Sequence, residues 1–199
     1  MTFTDVLRKL FAILIKSIAR FLIQLGLTAN SVTVIGFIGN IIATVFILKG
    51  SLLAAGIIAG LSCLLDAFDG TVAKEGAGAS KFGSFLDSTL DRYSEYVLFF
   101  GLVFYFLEKN DNFSVLVTFI AFGGSILVSY IRAKGDSLGI NIKDGLFTRV
   151  ERLLVLIVSL LIKKPIYGLI AIAIFANITA VQRFLIARSL LSRKVNEEK

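Results

Sequence analysis

Long apolar runs separated by short polar stretches dominate the chain. The first apolar run without interruption, "LTANSVTVIGFIGNIIATVFILKG", predicts a helix over roughly 29–48, with Thr28 or Asn30 as its N-cap. A second run starts near 51 and continues through an aspartate-bearing stretch to about Ala73. A Gly-rich "KEGAGASK" loop follows. Further helices are expected at about 82–107, 113–131, 147–162 and 166–187, divided by "EKNDN", a polar connection from Arg132 to Arg152, and "KKP". Most are close to the ~20 residues that a bilayer requires. The fold class is therefore an all-α membrane protein with six transmembrane helices. Residues 1–26 differ. Lys9, Lys16 and Arg20 share one side of a helix, while Phe3, Leu7, Leu10, Leu14, Ile18 and Leu22 turn towards another. Charges interrupt every apolar stretch there, so this segment reads as an amphipathic helix lying in the membrane interface. The domain organisation is an interfacial helix, 1–26, and a six-span domain, 27–199.

Composition agrees with this pattern. The 199 residues are 56% hydrophobic and 18% charged, with a mean hydropathy of +0.86. There is no His and one Cys, Cys63. These exclude Ser-His-Asp and Cys-His catalysis, a disulfide framework and a zinc site. Any acid–base work falls to Asp, Glu, Lys or Tyr. The formal net charge of +7 is read as membrane topology and anionic ligands, not nucleic acid. With six spans both termini share a side. That side holds all of the 21 Lys and Arg except Lys49, Lys109, Lys163 and Lys164. The positive-inside rule makes it cytoplasmic, in the cell membrane.

The polar exceptions inside this apolar chain carry the chemistry. "DAFDGTVAKEGAGASKFGSFLDSTLD" contains Asp66, Asp69, Asp87 and Asp91. Helical spacing puts Asp66, Asp69 and Ala73 on one stripe and Gly83, Asp87 and Asp91 on another. The intervening loop is short, so the two helices are expected to be antiparallel neighbours whose carboxylates converge. Four negative charges at membrane depth need positive charge between them. Carboxylate oxygens suit Mg²⁺ or Mn²⁺, and two such ions would clamp a reacting phosphate. Gly70, Ala73 and Gly83 leave room beside the carboxylates, and Lys74 could meet a phosphate. In the competing reading each Asp caps a helix or pairs with a base such as Lys81 or Arg92. A divalent cation transporter using the same aspartates is a reading from another class.

The stretch resembles the signature of the CDP-alcohol phosphotransferases, Asp-x2-Asp-Gly-x2-Ala-Arg-x8-Gly-x3-Asp-x3-Asp. Here it reads Asp66, Asp69, Gly70, Ala73, Lys74, Gly83, Asp87 and Asp91, with Lys74 in the Arg position. The resemblance extends over most of the chain. It implies an enzyme of phospholipid biosynthesis, with Asp66, Asp69 and Asp87 binding two divalent ions. Asp91 would be at the metals as the general base. Gly70, Ala73, Lys74 and Gly83, with the aspartates, would hold the CDP-linked lipid. The family is usually dimeric, so a homodimer is expected.

"SYIRAKGDSLGINIKDGLFTRVERLLVL" resembles the inositol-phosphate branch of that family, the phosphatidylinositol phosphate and archaetidylinositol phosphate synthases. In that branch a Lys and two Arg hold the acceptor phosphate; Lys134 and Arg152 match two of them, and Arg183 is taken as the third. Arg132 and Arg149 are at the same end. Thr148 and Val150 depart from the branch's Glu and Pro. The acceptor is then a small phosphorylated polyol, with glycerol 3-phosphate as the alternative to inositol phosphate. A phosphate dianion calls for several charge-assisted donors, although bases at span ends also serve as plain topological anchors. Glu95, one turn beyond Asp91, either orients an acceptor hydroxyl or pairs with Arg92.

Overall fold

The computed structural model describes residues 16–76, 80–142 and 145–197. All regular structure among them is helical: α1 over residues 16–24, then α2 (Ala29–Leu48), α3 (Leu52–Glu75), α4 (Lys81–Glu108), α5 (Asn112–Ser137), α6 (Arg149–Leu161) and α7 (Pro165–Glu197). Thr28 caps α2 by accepting from Ser31 N at 3.2 Å. Ser80 caps α4 by accepting from Gly83 N at 2.8 Å. Asp111 caps α5, accepting from Ser114 N at 3.0 Å and from its hydroxyl at 2.6 Å. Those bonds favour the ionised form and hold the Asp111 carboxyl below its ordinary range. The "EKNDN" and "KKP" turns close with Asn110 at φ 55° and Lys163 at φ 58°.

Helices α2, α5 and α7 and the segment Leu52–Val72 of α3 are long and apolar enough to cross a membrane. Many large apolar side chains on these helices face outward, among them Ile38, Ile57, Leu61, Phe119 and Phe184. In water this surface would be a liability, whereas lipid tails cover it at no cost. The chain is thus a multi-pass membrane protein. α4 is also long, but Lys81, Asp87, Asp91, Arg92 and Glu95 crowd the part up to its middle. α6 has only 13 residues, or about 20 Å at 1.5 Å per residue. α5 continues some six residues past its expected end and α7 about ten. The predicted amphipathic helix falls mostly on residues 1–15, outside the described residues. Its described remainder, α1, buries Ala19 against Val32 and Val72. Lys16 and Arg20 of α1 reach Glu75 at 3.7 and 3.2 Å.

Packing relies on small residues, because lipid supplies no hydrophobic force to bring helices together. α2 lies against both α3 and α4, α5 against α7, and α6 against α3 and α7. A Cβ on Gly101 of α4 would come within 2.8 Å of Thr44 on α2. One on Gly168 of α7 would meet Ser159 of α6 at 2.5 Å. Between these seams the core is built from residues such as Ile47, Leu98, Leu102, Leu156, Leu160, Leu169 and Ile172. The expectation of two adjoining aspartate helices needs correction. α3 and α4 are not a packed pair. α2 takes the place between them, since Gly36 and Gly39 let α3 approach it closely. The aspartate stripes consequently look across a gap.

The glycine seams are directly testable. A Cβ on Gly124 of α5 would stand 2.5 Å from Asn177 Nδ2 and 3.1 Å from Asn177 N on α7, and backbone cannot give way. Gly124→Ala should cost about 1–3 kcal/mol, the usual penalty for overpacking. The adjacent Gly123 has nothing within 4 Å of the added atom, so Gly123→Ala should be neutral or slightly stabilising. Thermal unfolding of both variants in detergent micelles distinguishes the two sites.

Candidate functional site

Asp66, just past the middle of α3, and Asp91, in the third turn of α4, face each other across the gap. Arg149, the first residue of α6, lies between them. Its Nη2 is 3.0 Å from Asp66 Oδ2 and 2.6 Å from Asp91 Oδ1. The two carboxylates are nearly enclosed, with side-chain exposures of 13% and 9%. One guanidinium nitrogen therefore answers two carboxylates taken out of water. Arg92 adds a weaker contact to Asp91 Oδ2 at 3.4 Å, with Nη1 also donating to Ser88 O at 2.7 Å. Asp87 is half-buried and has no ion pair among the described residues. The side chains of Asp69, Ala73 and Lys74 lie outside the described set. Among the described residues no three carboxylates converge closely enough to hold an ion as they stand.

Two glycines and an asparagine shape this corner. A Cβ on Gly36 of α2 would stand 2.6 Å from Asp66 Oδ1, so the absent side chain is what lets the carboxylate turn inward. A Cβ on Gly83 would meet Asn30 Oδ1 at 2.9 Å, which puts Asn30 at the start of α4. Gly70 is exposed, and a Cβ there would meet nothing within 4 Å. Open space thus adjoins the Asp66 end of the gap. Sequence reasoning overlooked Gly36 and Asn30 as site residues. The available signal was "GFIG", two small residues three apart on one face of an otherwise bulky span.

The basic residues separate into two groups. Arg152 is 2% exposed and its Nη2 donates to Glu95 Oε1 at 2.9 Å. The Glu95 partner is therefore Arg152, and not Arg92. Arg183 is buried on α7, and its Nη1 donates to Val128 O of α5 at 2.9 Å. Gly145 approaches it: a Cβ there would stand 3.0 Å from Arg183 Nε. Arg132 and Lys134, near the C-terminus of α5, are exposed. The segment leading to α6 is tied down. Phe147 N donates to Thr179 Oγ1 at 3.1 Å, Leu146 N to Gln182 Oε1 at 3.3 Å, and Ile140 and Ile142 are buried. Thr148 and Glu151 complete a capping box at the start of α6, with Thr148 N donating to Glu151 Oε2 at 2.8 Å. This cap aims Arg149 at the aspartates and Arg152, one turn on, at Glu95.

The residues fit divalent ions. Asp66 and Asp91 offer hard oxygens, and the space between them already accommodates a cation. The Glu95–Arg152 pair is a second dependency. Glu95 Oε2 and Arg152 Nε are buried without partners among the described residues. Arg152 Nη1 makes a longer bond to Phe147 O at 3.4 Å, so the charge of Glu95 leans heavily on the Nη2 bond. Glu95→Ala should destabilise the protein by about 3–5 kcal/mol through an uncompensated buried charge. The double substitution Glu95→Leu with Arg152→Met should recover most of the loss. Unfolding of single and double variants in micelles measures the difference.

Comparison with known proteins places this arrangement. The sequence pattern of the CDP-alcohol phosphatidyltransferase family matches residues 26–188. Archaetidylinositol phosphate synthase of Pyrococcus horikoshii is 36% identical over 179 residues, spanning 89% of this chain and 92% of that protein. The crystal structure of Mycobacterium tuberculosis phosphatidylinositol phosphate synthase with CDP-DAG bound superposes with a TM-score of 0.81 at 29% identity, covering 87% of this chain and 92% of that one. The same enzyme in complex with manganese and citrate gives a TM-score of 0.82 at 29% identity, over 87% of this chain and 88% of that one. The resemblance carried by the eight motif positions thus holds for the whole fold, and this chain belongs to the CDP-alcohol phosphatidyltransferase family of phosphotransferases.

Proposed function

We propose that the protein transfers a phosphatidyl-type group from a CDP-linked lipid, CDP-diacylglycerol or CDP-archaeol, to a hydroxyl of inositol phosphate, releasing CMP. The observation that carries this reading is the meeting, at one end of the bundle, of an aspartate pair and a separate buried basic set. Asp66 and Asp91 share a cation, while Arg152 in the first turn of α6 and Arg183 past the middle of α7 are both buried. The first arrangement suits a diphosphate with its counter-ions, the second a phosphorylated acceptor. Relatives named for archaetidylinositol phosphate and phosphatidylinositol phosphate support the choice of acceptor.

The roles follow from chemistry. Asp66, Asp69, Asp87 and Asp91 would hold two Mg²⁺ or Mn²⁺ ions, which supply charge stabilisation for the diphosphate and for the leaving CMP. Gly70, Ala73, Lys74 and Gly83, together with the aspartates, would seat the CDP-lipid, Gly70 offering open space at its end of the gap. Asp91 accepts the proton of the acceptor hydroxyl. The hydroxyl oxygen then bonds to the lipid-side phosphorus, and the bond from that phosphorus to the CMP oxygen breaks. Lys134, Arg152, Arg183, Arg132 and Arg149 form the donor set for the acceptor phosphate. Glu95 fixes the orientation of Arg152. In transfer of this kind the protein contributes mainly positioning and charge.

The setting we infer is a six-span domain over 27–199 behind an interfacial helix over 1–26, in the cell membrane, with the site at the cytoplasmic face and a homodimer as the assembly. The α4 and α6 helices complete the six spans, α6 with help from the segment before it.

The deciding experiment follows CMP release from CDP-diacylglycerol and from the archaeol-linked donor with Mg²⁺ or Mn²⁺. Inositol 1-phosphate, glycerol 3-phosphate, inositol and serine are offered in parallel. Release with inositol 1-phosphate alone is expected. Release with glycerol 3-phosphate alone reassigns the acceptor, and no release with any acceptor returns the aspartates to the ion-transport reading. Asp91→Asn should abolish turnover and leave CDP-lipid binding largely intact. Lys134→Ala should raise the acceptor KM more than the KM for the CDP-lipid.

A further inference from the structure

Arg149 occupies an unusual position for a residue assigned to acceptor binding. Its Nη2 lies where a bridging cation would lie, 3.0 Å from one aspartate of α3 and 2.6 Å from one of α4. α3 and α4 are not packed directly on each other here, so the guanidinium is the charge that joins them. Its hold is narrow: a single nitrogen makes both contacts, and Nε is buried with no hydrogen-bond partner among the described residues. A guanidinium fully committed to a structural role usually makes a bidentate fork. Among the described residues no three carboxylates group closely enough to hold an ion.

We propose that Arg149 is an exchangeable internal counter-cation. It neutralises Asp66 and Asp91 in the metal-free chain and must withdraw its side chain before divalent ions can be bound there. This inference rests on the metal reading given above. The geometry supplies a reason for the exchange. Two cations cannot share one gap, yet without either the buried carboxylates repel each other and resist leaving water. Arg149 stands at the first position of α6 and its side chain is 25% exposed, so withdrawal is a rotation of the side chain towards its exposed side while the cap holds the helix. Arg149 thereby sets a threshold for metal occupancy as well as protecting the empty site.

The test uses the full chain in detergent micelles and Mn²⁺ as the probe, with free Mn²⁺ read by electron paramagnetic resonance. Wild type, Arg149→Gln and Arg149→Lys are titrated. Arg149→Gln should bind Mn²⁺ at least about tenfold more tightly, since no charge-assisted contact has to be broken first; Arg149→Lys should fall between. Without metal, Arg149→Gln should melt below wild type, and saturating Mn²⁺ should close that difference. Equal or weaker Mn²⁺ affinity in Arg149→Gln overturns the inference and leaves the metal reading standing. A wild-type chain that takes up no Mn²⁺ overturns both. If Arg149→Gln does not fold, wild type decides: phenylglyoxal modification of Arg149, read by mass spectrometry, should rise with Mn²⁺, and an unchanged extent overturns the inference.

Discussion

A carboxylate held out of water in a membrane protein must be matched by positive charge, and most of this structure can be traced to that requirement. Asp66 and Asp91 are nearly enclosed and are matched by Arg149. Arg149 can serve only because α6 begins where it does. The start of α6 is fixed by the Thr148–Glu151 box, by the bonds of Leu146 and Phe147 to α7, and by burial of Ile140 and Ile142. Glu95 obeys the same constraint one turn deeper and is answered by Arg152. Two ion pairs, one turn apart on α4 and three residues apart on α6, thus register these helices against each other although α4 and α6 are not extensively packed. The desolvation cost makes each single charge expensive to remove, which ties the site to the stability of the bundle.

Glycine provides the complementary steric condition. Gly36 admits the carboxylate of Asp66, and Gly101, Gly124 and Gly168 draw the helices together around the core. In lipid such close approach is a main source of helix association. The seams and the ion pairs therefore divide the labour. The seams hold the apolar body of the bundle, while the charges organise the end at which the chemistry takes place.

Much of this was legible in the sequence. Apolar run lengths placed α2, α3, α4 and α6 within a few residues, and Thr28 was readable as a cap. The spacing of Asp66, Asp69, Gly70, Ala73, Lys74, Gly83, Asp87 and Asp91 pointed to the family before any fold was known. What was hidden depends on three-dimensional neighbours. The continuation of α5 to Ser137 runs through polar residues, which a hydropathy reading takes for a loop although Arg132, Ala133 and Lys134 are good helix formers. The insertion of α2 between α3 and α4 follows from glycines whose partners are on other helices. The pairing of Glu95 with Arg152 crosses 57 residues and that of Asp66 with Arg149 crosses 83. No local periodicity reports contacts of such range. A basic residue beside an anion site also reads equally as a ligand for substrate or a partner for the site's own carboxylates.

The short α6 has an implication for substrate traffic. A helix of 13 residues reaches only about two-thirds of the way through a hydrocarbon core of ~30 Å. Its charged beginning, with Arg149 and Arg152, is thus drawn below the level at which the longer helices α5 and α7 end. A helix that starts at that depth would leave a recess on that side, with the ion pairs of Asp66, Asp91 and Glu95 at its floor. A lipid-anchored molecule can bring its head group into such a recess sideways without lifting its tails from the bilayer. A water-soluble molecule can descend into it from above without entering hydrocarbon. The missing helical turns therefore make a meeting place at the phase boundary, where neither reactant has to leave the solvent that it prefers.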